Sequence, residues 1–492
     1  MKIGFAKKKL TEFIIPDNRP AQNTASANPE HYRREVKFDI TDRVKGLWRP
    51  DEGGSRKVVE DIYATALIAE DGKGPFLLIA IDQCLMTYTM LDLLTAPIVQ
   101  ELKIAKERII IMPSHVHINV TFDLDKLQQA MLSMAQSAME NAEDAEMAPL
   151  HIQVDEKRYT INRRVHLDGV GTRTVMFNDG CDIKDDCLDV TEQVREWIKN
   201  LGGEPDRFIP AGKRIATHGE TDPYLQALLF RSAATKKMLG TFVRFAAHPV
   251  IVSEKKANGD ISADYPGHLR DKLDARFGGL TVFGQGNCGE IRPLNREYSH
   301  AFAKEYGVRL AEEVIAAASA AQWQPLTVVG FDEEKAFLPL RKDLPLSQED
   351  ANSAMDRIEA EFDKETNIEK RRKLQNLFWL YYRGHDVKKM LRPEWIKKNT
   401  IEAHLFAARF NDDVLLFNQG EAFNSTMRKM VAPFPAPRPI TVSICNEEIS
   451  YLPSREDFEK GGYEPSVCLA EPGSSETIFV EKARVLLTRI RK

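Results

Sequence analysis

Apolar and polar residues alternate along the chain in two patterns, one typical of buried strands and one typical of amphipathic helices. The runs YATALIAE and GPFLLIAIDQ predict two buried strands, and the DGKG turn between them predicts a hairpin. The run ERIIIM predicts a third strand. From Asp123 onward, leucine and methionine recur at helical spacing, which predicts a helix with one face in the core. The alternation favours an α/β fold with layered mixed sheets flanked by helices.

The second half of the chain continues this alternation and adds a charged helical stretch. TFVRFAAHPVIV predicts a strand, DYPGHLRDKLDARF a helix, and LTVFGQGNCGEIRP a strand that runs into a glycine-rich loop. Over about 347–399 the apolar spacing predicts a helical hairpin, opened by a capping box of Ser347 and Asp350. Strand patterns return in the last hundred residues. No repeat or low-complexity linker is evident, so residues 1–492 are interpreted as one compound domain with a helical hairpin insertion.

The composition argues against several classes of function. The chain has 68 Lys and Arg against 73 Asp and Glu, a formal net charge of −5, so no basic excess points to nucleic acid or an anionic membrane. No window approaches the roughly 18 apolar residues of a spanning helix. The amino terminus lacks the apolar stretch and cleavage site of a signal peptide. We therefore expect a soluble, cytoplasmic protein.

The cysteines and the glycine-rich loop give no independent sign of a site. The cysteines lie at 84, 181, 187, 288, 445 and 468, and only Cys181 and Cys187 are close together. A zinc ribbon needs two tight pairs, so we interpret them as reduced, partly buried thiols. Cys288 lies in GQGNCG, which lacks the Lys-Ser/Thr of a phosphate-binding loop, and it too is interpreted as a buried thiol. The chain contains no GxSxG motif of an α/β-hydrolase nucleophile.

Four polar residues that follow strand patterns are candidates for a metal site. His115 and His117 lie in PSHVHINVTFD, and residues at i and i+2 of a strand project from the same face. His248 follows a second strand pattern and Glu421 a third. These side chains would form a zinc site if their strands are neighbours. The alternatives stay open, namely a chance HxH spacing, a hydrogen-bonded core histidine at 248 and a solvated carboxylate at 421.

The remaining histidines stand in polar or helical contexts. His268 and His300 are among them, and both are interpreted as structural. Only His268, which directly follows SADYPG, draws some suspicion of a further role.

A series of motifs stands in order along nearly the whole chain. They are IGFAKKKLTEFIIP, ATALIAEDGKGPFLLIAIDQ, IIIMPSHVH, INRR, FVRFAAHPV, SADYPG, GQGNCGEIRP, LLFNQGEAF and SYLPSREDFEKGGYE. In this order and spacing the chain resembles the catalytic domain of the neutral (alkaline, non-lysosomal) ceramidase family.

The resemblance implies a set of site residues. A catalytic Zn²⁺ would be held by two imidazoles, a carboxylate and a phenol, from His115, His248, Glu421 and Tyr451. The catalytic and substrate-orienting groups would be His117, Arg163 and Tyr463. The implied chemistry is attack of a metal-bound hydroxide on a carbonyl, with Arg163 and Tyr463 donating to the oxyanion and His117 moving protons.

The chain also departs from the family pattern. Ile118, Asn119 and Val120 replace Ser-Gly-Pro, so the loop expected to line the pocket differs. The chain ends at Lys492, without room for the family's immunoglobulin-like domain, and shows no amphipathic membrane-binding stretch. We therefore expect a zinc-dependent hydrolase that cleaves an amide (N-acyl) bond in a small, soluble substrate. The alternatives are an ester, lactone or sugar-derived substrate at the same site, or a non-catalytic ligand-binding relative. Retention of the three catalytic side chains argues against the last.

Overall fold

The computed structural model describes residues 1–15, 37–38, 57–118, 120–176, 182–184, 187–217, 219–252, 260–345, 347–388 and 391–492, so Asn119 and Cys181 lie outside the described residues. The helices are α1 (Tyr88–Leu102), α2 (Leu124–Glu140), α3 (Thr191–Asn200), α4 (Asp264–Phe277), α5 (His300–Ala318), α6 (Gln348–Lys364), α7 (Ile368–Lys388), α8 (Pro393–Lys398), α9 (Asn424–Val431), α10 (Arg455–Lys460), α11 (Tyr463–Val467) and α12 (Ser474–Ile490). The strands are β1 (Lys2–Lys9), β2 (Tyr63–Asp71), β3 (Gly74–Ile81), β4 (Ile109–Pro113), β5 (Glu143–Gln153), β6 (Thr160–Asn162), β7 (Arg164–Leu167), β8 (Gly171–Thr174), β9 (Asp182–Lys184), β10 (Cys187–Asp189), β11 (Tyr224–Ser232), β12 (Met238–Phe245), β13 (Leu280–Gln285), β14 (Ile291–Pro293), β15 (Gln324–Pro325), β16 (Val329–Pro339), β17 (Thr400–Phe410), β18 (Asp413–Asn418), β19 (Glu421–Ala422), β20 (Ile440–Val442) and β21 (Tyr451–Leu452).

The largest sheet is mixed and has the strand order β13-β12-β11-β5-β1-β2-β3-β4, with β15 added beside β5. Its outer pairs, β12 with β13 and β3 with β4, are parallel, and the pairs between them are antiparallel. The predicted hairpin is confirmed. Strands β2 and β3 pair up to Asp71 and Gly74, where Gly74 has a φ of 117°, a conformation that glycine adopts without strain.

This sheet bends sharply at one junction, which brings its two edges together. Strands β1 and β5 pair only at Lys2 with Asp144 and at Ile3 with Glu143. The short junction lets the two halves of the sheet fold towards each other, so that β13 lies beside β2, β3 and β4 although it is at the opposite end of the strand order. The ends of β4 and β12 therefore approach one another, although the two strands are not hydrogen-bonded neighbours in the sheet.

A second sheet, of order β16-β17-β18-β20, closes the interior. Its aromatic residues pack against both halves of the first sheet, and Phe331 stacks on Phe76 with ring centroids 5.0 Å apart. On the outer faces, α1 and α2 cover β1–β4, α4 and α5 cover β5 and β11–β13, and α12 covers the second sheet. The fold is α/β, with layered mixed sheets flanked by helices, as predicted.

The segment predicted as a helical hairpin contains α6 and α7, followed by the short α8. Helix α6 is capped as expected, because the Asp350 backbone N–H donates to Ser347 Oγ at 3.0 Å. Apolar side chains of α6 and α7 pack on α3 and on the strands that follow Tyr159. The assignment of residues 1–492 to one domain stays a prediction. Among the described helices, none is long and apolar enough to cross a membrane.

Candidate active site

Three polar side chains from distant parts of the chain meet in a buried cluster. His115 follows β4, His248 follows β12, and Glu421 lies in β19, just beyond the end of β18. Glu421 Oε2 is 3.5 Å from Nε2 of His115 and 3.0 Å from Nε2 of His248. The two imidazole centroids are 4.7 Å apart. All three residues are buried, with exposures of 1%, 1% and 6%.

The pair of histidines does not lie on a strand face. Strand β4 ends at Pro113, and His115 adopts a left-handed conformation with a φ of 66°. The i, i+2 argument for a shared strand face was therefore wrong in its geometry. The loop nevertheless turns both imidazoles towards the same place, with the His115 and His117 centroids 4.9 Å apart.

Backbone carbonyls fix the orientation of both buried imidazoles. His115 Nδ1 donates to the carbonyl of Cys84 at 2.8 Å. His248 Nδ1 donates to the carbonyls of Cys288 and Ile291. A carbonyl can only accept, so each Nδ1 carries a proton, and the neutral form of either ring has its lone pair on Nε2. This arrangement is the one that holds metal-ligating histidines in place in other proteins.

The electrostatics of the cluster suit a bound cation. Burial would raise the pKa of Glu421, but the two imidazoles outweigh it and hold that pKa well below its usual range. Burial, with Arg163 nearby, lowers the pKa of His248 to about 4 and keeps this ring neutral. Burial also acts to lower the pKa of His115, but Glu421 and Cys84 raise it well above its usual value. An ionised carboxylate thus stands in a buried site that favours positive charge beside it.

The donor atoms fit a divalent metal rather than a hydrogen-bonded network. Within the part of the chain that the structure describes, His115 Nε2 and Glu421 Oε2 are buried and have no hydrogen-bond partner. Buried polar atoms without partners are rare in native proteins and are explained by an ion or water. Two imidazole nitrogens and one carboxylate oxygen form a set of ligands typical of catalytic Zn²⁺. The residues therefore fit the metal that the sequence resemblance implies.

Tyr451 joins the cluster through a two-residue parallel pairing. Strands β19 and β21 pair with Glu421 opposite Tyr451, and the Glu421 backbone N–H donates to the Ser450 carbonyl at 3.0 Å. Burial raises the pKa of the Tyr451 phenol well above its usual value. Its hydroxyl accepts a hydrogen bond from Arg163 Nη2 at 3.3 Å.

Arg163 is held by a buried carboxylate that the sequence analysis did not identify. Its Nε donates to Glu464 Oε1 at 2.8 Å, and its Nη2 donates to the Gly289 carbonyl at 2.7 Å. Glu464 Oε2 accepts from Arg164 at 3.1 Å and from the Thr174 hydroxyl at 2.7 Å. No sequence pattern singles out Glu464, although it directly follows Tyr463.

His117 and Tyr463 lie at the half-buried rim of this cluster. The ring centroid of His117 is 5.8 Å from that of His248. The Tyr463 ring lies edge-on to Tyr451 at 5.9 Å and packs on Trp379 of α7 at 4.9 Å. The structure thus places all seven predicted site residues around one centre, and it adds a contact from the helical segment.

Two cysteines also border the site. Ligand atoms of His115, His248 and Cys288 lie within 4.8 Å of one another, as do those of Cys84, His115 and His117. Burial raises the pKa of Cys288 to about 12, so it is a neutral thiol, as expected from the sequence. The described cysteines are all free, and every one except the half-buried Cys84 is buried.

Two of the three residues that depart from the family pattern are buried in the core. Ile118 and Val120 are 3% and 8% exposed and pack in the apolar cluster beneath α1 and α2. The apolar surface of these two residues is buried in the core, and Asn119 lies outside the described residues, so the expectation that this loop lines the pocket stays a prediction.

The fold and site geometry define a mixed α/β protein with a buried cluster of two histidines and a glutamate, flanked by an arginine and two tyrosines. Among solved structures, the chain is similar to the neutral ceramidase of Pseudomonas aeruginosa, with a TM-score of 0.62, 14% identity, and coverage of 100% of this chain and 75% of that one. It is also similar to a ceramidase complexed with C2, with a TM-score of 0.59, 13% identity, and coverage of 99% and 75%. No protein-family model and no curated protein matches the sequence. The chain has the fold of neutral ceramidases, which confirms the predicted resemblance at the level of the fold.

Proposed function

We propose that this protein is a zinc-dependent hydrolase that cleaves an amide (N-acyl) bond in a small, soluble substrate. One observation carries the proposal. Glu421 Oε2 lies 3.5 Å from His115 Nε2 and 3.0 Å from His248 Nε2, in a fold shared with ceramidases. These three residues would hold the metal, with Tyr451 beside them. Bound Zn²⁺ would supply Lewis-acid polarisation of a carbonyl and would lower the pKa of a coordinated water towards about 7.

Arg163 is the group assigned to stabilise negative charge on the reacting carbonyl oxygen. Its Nε and Nη2 are occupied by Glu464, Gly289 and Tyr451. Among the described residues Nη1 donates to no acceptor, so it is available to a substrate oxygen. A well-placed donor of this kind contributes roughly 3–4 kcal/mol to transition-state stabilisation. Glu464 would position Arg163, since its Oε1 accepts a hydrogen bond from Nε of the guanidinium.

His117 is assigned to proton transfer and Tyr463 to substrate orientation. The His117 ring is close to both buried imidazoles and, unlike them, half-buried. It can take a proton from water or give one to a leaving amine, a role worth about 10²- to 10⁴-fold in rate. Tyr463 is also half-buried, so its hydroxyl can reach a substrate.

The surroundings of Arg163 support a polar substrate. Asn162 and Arg164, on either side of it in sequence, line a cavity of about 1170 Å³. Charged side chains, including Lys213, Arg428 and Lys460, share the wall with apolar ones. In small-molecule pockets generally, most of the lining is apolar and a few placed polar groups fix orientation and specificity. We infer that the charged groups in this wall would orient a soluble, polar molecule rather than a long acyl chain.

The test is a substrate panel with metal-free and zinc-loaded protein. N-acyl amides, esters, lactones, glycosides and a fluorescent ceramide are offered at equal concentration, with His117→Ala as the matched control. We expect zinc-dependent cleavage to be fastest with a polar N-acyl compound and to be lost in the control. Preference for an ester, lactone or glycoside would replace the substrate class. Efficient ceramide hydrolysis would refute the assignment to soluble substrates, and no turnover of any class would favour a non-catalytic ligand-binding protein.

A further inference from the structure

A buried carboxylate near His115 has no part in the mechanism proposed above. Asp82 directly follows β3, and its side chain is completely buried. Its Oδ1 accepts hydrogen bonds from Arg270 Nη1 at 2.8 Å and from the Ser114 hydroxyl at 2.9 Å. Its Oδ2 accepts from Arg270 Nη2 at 2.6 Å and from the Tyr63 backbone N–H at 2.8 Å. Each carboxylate oxygen thus has both of its acceptor positions occupied.

Arg270 reaches this carboxylate from a different layer of the fold. It lies in helix α4, and its side chain is only 1% exposed. Its two terminal nitrogens form the bidentate pair that gives arginine–carboxylate contacts both strength and a fixed geometry. Because both partners are buried, water cannot replace either of them. The pair therefore fixes Asp82 relative to α4.

The stretch that begins at the end of β3, residues 81–84, also holds the turn that contains His115. Strands β3 and β4 pair in parallel up to this stretch. Beyond the pairing, the Ser114 backbone N–H donates to the carbonyl of the last residue of β3 at 2.8 Å, and the His115 backbone N–H donates to the Gln83 carbonyl at 3.0 Å. The His115 ring adds a third bond, because its Nδ1 donates to the Cys84 carbonyl at 2.8 Å. Residues 81–84 therefore determine where both the backbone and the ring of His115 lie.

His115 needs this support because of its backbone conformation. Its φ of 66° is left-handed, and a residue with a side chain stays in such a region only where the surrounding structure over-determines it. The two carbonyls that hold His115 belong to the two residues that follow Asp82, whose own backbone N–H donates to the Tyr63 carbonyl at 3.0 Å. Ser114, which directly precedes His115, is bonded to the Asp82 carboxylate itself. Loss of this carboxylate would release both supports of the His115 turn.

We propose that Asp82 and Arg270 are positioning residues for the metal centre, because together they hold the turn that directs His115 Nε2 towards Glu421. The proposal rests on the proposed function, since it assigns the pair to a ligand of the catalytic metal. Groups that orient metal ligands typically change metal affinity or activity by about 10- to 100-fold when they are replaced. We therefore expect zinc binding to weaken by that factor when the pair is lost.

The experiment measures the Kd for zinc by competition with a chelator of known affinity, on variants shown to be folded by circular dichroism. The main variant is Asp82→Asn/Arg270→Met, which removes both charges and so leaves no unpaired ion in the core. We expect its Kd to rise about 100-fold. Ser114→Ala removes only one hydrogen bond of the carboxylate, and we expect its Kd to rise about 10-fold.

The matched control is Asp71→Asn. Asp71 is also a carboxylate of the β2–β3 hairpin, accepts from Arg108 at 2.7 Å and from the Phe331 backbone N–H at 3.0 Å, and has a side chain only 7% exposed. It lies beyond the other end of the eight-residue strand β3, roughly 25 Å from Asp82 at about 3.3 Å per residue. This control should lose stability but keep the wild-type zinc affinity. An equal loss of zinc affinity in the control and the double variant would mean general destabilisation and would overturn the proposal.

Crystal structures of the metal-free proteins give a second readout that does not depend on zinc. In the double variant we expect His115 to leave the left-handed region and its contact with the Cys84 carbonyl to break, whereas both should persist in Asp71→Asn. If the wild-type chain binds zinc, an unchanged Kd or an unchanged His115 geometry in the double variant would overturn this proposal while the proposed function stands. If the double variant does not fold, Ser114→Ala decides by the same criteria.

The same pair of measurements separates failure of this proposal from failure of the proposed function. A wild-type chain that binds no zinc would refute the proposed function. Displacement of His115 in the double variant would then still support its positioning by Asp82 and Arg270, and an undisplaced His115 would refute that as well.

Discussion

Replacing Glu464 by Gln tests the positioning of Arg163. The carboxylate is fully buried and accepts hydrogen bonds from Arg163 at 2.8 Å, Arg164 at 3.1 Å and Thr174 at 2.7 Å. The two guanidinium groups are only 5% and 6% exposed, so water cannot replace the lost charge. Breaking a buried ion pair from one side costs about 3–5 kcal/mol. We therefore expect the free energy of unfolding of Glu464→Gln to fall by about that amount.

The assay combines urea unfolding at pH 7 with kcat and zinc content. The matched control is Glu456→Gln, whose carboxylate is 72% exposed and pairs with Lys460, and it should change stability by less than about 0.5 kcal/mol. In Glu464→Gln we expect kcat to fall at least about 10-fold with unchanged zinc content, because Arg163 loses its support. Equal stability and kcat in the two variants would refute the reasoning.

The pH dependence gives an independent check on Glu464. Burial would raise its pKa, but Arg163 and Arg164 outweigh burial and lower it below its usual range. A lowered pKa in the folded state contributes stability that is present above the unfolded value, about 4.3, and is lost as the pH falls through the folded value. Wild-type protein should lose this contribution in acid, and Glu464→Gln should not.

Three further predictions concern the site. His115→Ala should lose the catalytic zinc and activity together, whereas His117→Ala should keep zinc and lose turnover; equal metal loss would make His117 a ligand. Arg163→Lys should lower kcat by about 10²-fold with little change in KM, because the lost donor acts on the transition state. A change in KM with kcat unchanged would contradict this role of Arg163. Glu290 lines the cavity that Asn162 and Arg164 also line, and burial raises its pKa to about 8, so its contribution to stability is lost as the pH rises through that value. Glu290→Gln should therefore flatten the fall in stability between about pH 4.5 and 8, measured by urea unfolding, and an unchanged slope would exclude Glu290 as the cause.

The local elements could be predicted because their signals are local. Apolar runs and the DGKG turn were sufficient for β2 and β3, and helical spacing from Asp123 onward was sufficient for α2. The convergence of β4 and β12 could not be predicted from these signals. It depends on the bend at the short β1–β5 junction, and no pattern in either strand encodes how two halves of a sheet fold together.

The candidate site was predictable where residues follow strand patterns. His115, His248 and Glu421 each come just after an apolar run, so their types and positions drew notice. Tyr451 depends on a two-residue strand pairing with Glu421, which is too short to leave a periodic signal. Glu464 is a lone buried carboxylate in a short helix, and only its contacts with two arginines reveal its role.

The most direct test of the central claim is anomalous diffraction at the zinc edge from crystals grown with Zn²⁺. The account predicts a strong zinc peak within about 2.0–2.2 Å of His115 Nε2, His248 Nε2 and Glu421 Oε2. Zinc-replete crystals with no anomalous peak at these three atoms would contradict it.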